Sequence, residues 1–71
     1  MAQGGSEWRT IRRAIRLHGG KVSAQTIGEL RRILKLRGMS TKTLEQNLRG
    51  MAKASEIVFK RHQGTMEVIC S

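Results

Sequence analysis

Thr41, Lys42, Thr43, Gln46, Asn47 and Arg49 bring hydroxyl, carboxamide and cationic groups into nine residues, and Lys53 extends the series. Such groups donate and accept hydrogen bonds or carry positive charge, which is the chemistry of binding. No nucleophile stands beside a base and an orienting acid in a legible motif, and no glycine loop of the phosphate-cradling type is present, so an enzyme is not expected. His18 and His62 are far apart and Cys70 is the single cysteine, which gives neither zinc-ligand spacing nor an internal disulfide. No metal and no cofactor is therefore expected. The histidines suit a helix end and a hairpin tip, and Cys70 reads as a small core residue.

A second set of cations lies nearer the start. At 100° per residue, Trp8, Ile11, Ala14 and Ile15 share one arc of a helix while Arg9, Arg12, Arg13 and Arg16 fill another. The first helix is thus divided between a core face and an arginine face. Ser6 is placed to cap its start, Glu7 suits the positive end of its dipole, and Gly19-Gly20 stops it. Residues 1–5 (MAQGG) read as a mobile leader and residues 6–71 as one domain, because so short a chain cannot build two cores.

Further elements follow from periodicity and punctuation. Lys21, Val22 and Ser23 form a minimal strand that must borrow partners from a later hairpin, burying Val22. Ser23 or Thr26 caps a second helix, TIGE has capping-box spacing, and Ile27, Leu30, Ile33 and Leu34 recur at helical period. Arg31, Arg32 and Lys35 fall off that stripe, and Gly38 is expected to close the helix. Ser40 or Thr41 caps a third helix with Leu44, Leu48 and Met51 inside and Lys42, Gln46, Arg49 and Lys53 outside. Gly28 and Gly50 each weaken their helices, a cost that close packing at Gly28 would explain.

After Glu56 the period changes to two, giving strands at 57–61 and 66–70 around a turn containing Gln63-Gly64. That register sets Phe59 against Val68 and Ile57 against Cys70, and pairs Lys60 with Glu67 on the other face.

Fourteen Lys and Arg stand against five acids, all Glu, for a net charge of +9. Self-repulsion of that size is relieved by a polyanion: DNA, RNA or an anionic membrane, the alternative being a surface that is merely solvated. No apolar run approaches the roughly 18 to 20 residues of a membrane-spanning helix, and no signal-peptide pattern is present, so a cytoplasmic protein without a membrane partner is expected. With one Trp, one Phe and no Tyr, there is no row of aromatics for stacking single-stranded bases.

Three short helices, a strand between the first two and a terminal hairpin make a small α+β fold. Their order, with VSAQTIGELRRIL, GMSTKTLEQNLRGM and IVFKRHQGTMEVI as second helix, third helix and hairpin, resembles the winged helix-turn-helix superfamily of DNA-binding domains. The resemblance is one of architecture and residue style over nearly the whole chain. It implies double-stranded DNA as partner, with the third helix in the major groove and the hairpin as a wing on the flanking minor groove or backbone.

Thr41, Lys42, Thr43, Gln46, Asn47 and Arg49 would then read base edges, since carboxamides pair with adenine, guanidinium with guanine, and Thr can meet a thymine methyl. Asn47 lies nearer the core edge, where packing is the alternative. Lys53, Lys60, Arg61, His62 and Gln63 would meet the DNA backbone, Arg61 by splaying from the core face of its strand. Arg9, Arg12, Arg13 and Arg16 fit this arrangement least and suggest a second basic surface for flanking phosphates, another duplex or an acidic protein. A small transcriptional regulator, nucleoid-associated when bound, is the implied function. With no helix after the hairpin, a monomer or cooperative binding is expected over a dimer. The competing functions are an adaptor or inhibitor docking an acidic protein, and a binder of structured RNA.

Overall fold

The computed structural model describes residues 5–70, so residues 1–4 of the expected leader and Ser71 lie outside it. The elements run α1 (Gly5–Leu17), β1 (Lys21–Ala24), α2 (Ile27–Ile33), α3 (Thr41–Lys53), β2 (Ile57–His62) and β3 (Thr65–Cys70). The fold is a small α+β unit of three helices and one antiparallel sheet, in the strand order β1-β3-β2.

The sheet satisfies the minimal strand as its sequence required. β1 pairs with β3, setting Val22 against Val68 and Ala24 against Met66, and its alternation buries Val22 and Ala24 while Lys21 and Ser23 are exposed. Ala24 extends the strand one residue beyond expectation. In the hairpin, Phe59 faces Val68 and Ile57 faces Cys70. Each strand is one residue longer towards the tip, so that His62 pairs with Thr65 across a two-residue turn. Gln63 and Gly64 both have positive φ (50° and 79°), the geometry whose twist matches that of the flanking strands.

Helix faces converge on that sheet. Ile11 and Ile15 of α1, Leu30 of α2, Leu44, Leu48 and Met51 of α3, and Val68 of β3 are essentially fully buried, with no buried polar or charged residue among those described. Leu36 and Met39, in the connection between α2 and α3, are buried in the same core.

The helix ends correct two expectations. Ser6 lies within the first turn of α1, its carbonyl accepting from the Thr10 hydroxyl, and is not the cap. The second helix ends at Ile33, well before Gly38: Lys35 takes positive φ (57°), and Leu36 N–H bonds back to the Arg31 carbonyl. The early stop turns Leu36 inward, where it is buried. Arg31 then holds the connection, its guanidinium donating to the carbonyls of Met39 and Arg37.

All three helices close in the same way. Gly20 to Ile15, Leu36 to Arg31 and Glu56 to Met51 each make the six-residue backbone bond, with Gly19, Lys35 and Ser55 at positive φ. Only α1 uses glycine there. Helix starts follow the sequence more closely, with Thr26 and Ser40 as N-caps accepting from Glu29 and Thr43 N–H. Glu29 returns its bond to Gln25 N–H, one residue before the cap.

Candidate nucleic-acid interface

Ser40 fixes the start of α3, and the leucines at 44 and 48 fix its rotation by filling the core. Thr41, Lys42, Gln46, Arg49 and Lys53 are consequently exposed, as the helical period required. Thr43 is half-buried, and its hydroxyl accepts from that of Ser40 at 3.0 Å. Arg49 is bonded to Glu45 at 2.9 Å, one turn back, and would have to exchange that carboxylate for a base edge.

Asn47 is corrected. Its Oδ1 accepts from Trp8 Nε1 at 3.1 Å, its Nδ2 donates to Glu7 Oε1 at 3.1 Å, and Met39 Sδ lies 3.8 Å away. The carboxamide therefore ties α1 to α3 and is spent on the fold. Trp8 also explains Gly50: a Cβ built there would stand 3.0 Å from the indole Cζ2. Gly28 is different, its nearest neighbours being Thr26 Oγ1 and Thr41 Cγ2 at 3.9 Å, an ordinary contact that demands no glycine.

The Thr41 end of α3 thus lies beside the start of α2. The hairpin tip reaches the same place, because Gln25, Thr26 and Ile27 line a cleft of about 480 Å³ with residues Arg61 to Met66. Lys60, Arg61, His62 and Gln63 line the other side of the hairpin with Thr65 and Glu67. All four of these candidate backbone contacts are exposed. The part of Gln25 and Thr26 in this cleft was not legible in the sequence. The capping signal located the helix start, but its proximity to the tip depends on β1 pairing with β3.

The acids are all occupied within the described residues. Lys60 stands opposite Glu67 across the hairpin, as expected, but the ion pair of Glu67 is with Lys21 at 3.1 Å; in the central strand Glu67 has neighbours on both sides, and Lys21 of β1 reaches it. Glu56 takes Arg12 at 2.8 Å, Glu45 takes Arg49, and Glu7 and Glu29 accept the bonds already described. Lys42, Lys53, Lys60 and Arg61 are left without an ion-pair partner among the described residues. Of the α1 arginines, Arg12 is half-buried against Glu56 while Arg9, Arg13 and Arg16 are exposed.

Among the described residues no group of three or more His, Cys, Asp or Glu could hold a metal ion, and no helix is long and apolar enough to cross a membrane. Neither a protein-family model nor a curated protein nor a solved structure matches the chain.

Proposed function

We propose that this protein is a winged helix that binds double-stranded DNA, with α3 in the major groove and the β2–β3 hairpin on the flanking minor groove or backbone. The observation that carries the reading is the meeting of the Thr41 end of α3, the start of α2 and the hairpin tip at one end of the molecule. A helix that reads bases and a hairpin that braces the backbone have to act on one duplex, so they have to share an end. The element order and the sheet order β1-β3-β2 support the winged arrangement.

On this reading Thr41, Lys42 and Gln46 meet base edges first, with Thr43 and Arg49 reaching them at the cost of present bonds. Lys53, Lys60, Arg61, His62 and Gln63 meet phosphates, which fix register without reading sequence. A small transcriptional regulator acting in the cytoplasm is the role such a module fills.

Base preference is the direct test. In a selection from random duplexes, Gln46→Ala should relax preference at one or two positions, while Lys53→Ala should weaken every sequence alike. Equal loss on all sequences from both changes would contradict base readout by Gln46. Competition between duplex DNA and duplex RNA separates this reading from structured-RNA binding, since a helix fits the DNA major groove and not the deep, narrow one of RNA.

A further inference from the structure

The arginine face of α1 does not belong to the end just described. Arg9, Arg12, Arg13 and Arg16 line one concavity of about 460 Å³ with Trp8 and Glu56. Two independent contacts place it. Arg12 bonds Glu56, just past the C-terminal end of α3, about 18 Å along the helix from Thr41 at 1.5 Å per residue. The Arg12 carbonyl is also 3.8 Å from Cys70 Sγ, at the base of the hairpin, about 17 Å along β3 from the tip. The concavity therefore lies at the other end of both elements.

Its chemistry is that of a phosphate site. Arg9, Arg13 and Arg16 follow one another at four and three residues, so their guanidinium groups rise along one side of α1 over about 10 Å. Guanidinium presents paired donors that match two phosphate oxygens, and no acid within the described residues pairs with these three. A protein partner would want an apolar centre surrounded by polar groups. Here Trp8 is the single apolar side chain in the lining, and it is already half-buried against α3.

We propose that this face binds the phosphate backbone of a second duplex, so that one chain bridges two DNA segments. The inference rests on the reading of α3 and the hairpin as the first DNA site. Arg12 stays on Glu56 and supports the rim, while Arg9, Arg13 and Arg16 make the contacts.

Energy transfer between two short, separately labelled DNA duplexes tests it at low salt. The wild-type chain should give a transfer signal that disappears when Arg9, Arg13 and Arg16 are all changed to Ala, with Kd for one duplex moving by less than about threefold because the first site is intact. Replacing the same three by Lys, which keeps the charge, should retain bridging. No transfer with the wild type, together with a salt slope for single-duplex binding that falls by about 2.7 in the Ala variant, would place both surfaces on one duplex and overturn the proposal. Unchanged binding and unchanged transfer in the Ala variant would overturn it too, leaving an acidic protein as the partner to seek. Failure of the first site looks different: Lys42→Ala with Gln46→Ala would then leave single-duplex binding untouched.

Discussion

Two adjacent carboxamides on α3 have opposite assignments. Gln46 is exposed, whereas Asn47 accepts from Trp8 Nε1 and donates to Glu7. Asn47→Ala should cost about 1 to 2 kcal/mol in chemical denaturation, because the indole N–H loses its partner, and should leave base preference as it was. Gln46→Ala should change stability by less than about 0.5 kcal/mol, as an exposed residue away from any cap or core contact does. The helical period alone placed Gln46 outside and Asn47 at the edge. It could not show that Trp8 from a distant helix would end there, since that contact depends on how α1 and α3 pack. The two helix glycines make a similar contrast. Gly28→Ala should raise stability by about 0.5 to 1 kcal/mol, because the added Cβ meets only ordinary contacts and the helix loses a flexible residue. Gly50→Ala should lower it by about 1 to 3 kcal/mol, because the added Cβ presses on an indole that its bond to Asn47 holds in place. Equal signs in thermal unfolding would show that the packing of Trp8 on Gly50 is looser than described.

The starts of α2 and α3 were legible in the sequence and their stops less so, whereas α1 stops at its glycines but does not start at Ser6. Thr26 and Ser40 cap their helices through side chains that the sequence displays, but α2 and α3 stop on Lys35 and Ser55, which carry no local signal for positive φ. What stops α2 is the demand of the core for Leu36, assisted by the hold of Arg31 on the carbonyls of Arg37 and Met39. Both arise from tertiary structure, and Arg31 looked like one more surface charge. Replacing Lys35 by Gly should stabilise the protein by about 1 kcal/mol in urea denaturation by removing the strain of a Cβ in the left-handed region. A loss of stability would mean that the Lys35 side chain has a role its exposure conceals. The hairpin was readable almost to the residue, because a turn signal and an alternating pattern agreed on one register. Its ion pair was not: alternation gives the faces of a strand, whereas the choice of Lys21 over Lys60 depends on which strand lies on each side of β3.

The chain carries a net charge of +9, and among the described residues all five acids have partners while many of the cations have no ion-pair partner. Charge alone was compatible with DNA, RNA or membrane. The structure sets the start of α3 and the hairpin tip at one end and the arginines of α1 at the other, and the proposed DNA site occupies the first. Binding through about five phosphates at the first end should make log affinity fall with log salt at a slope near −4.5. Whether α3 and the hairpin meet one duplex is tested by an NMR titration of the labelled protein with one equivalent of a short random-sequence DNA duplex. The largest amide shifts should fall at residues 41–46 and 61–64 together. Shifts confined to α1, or none at all at low salt, would contradict it.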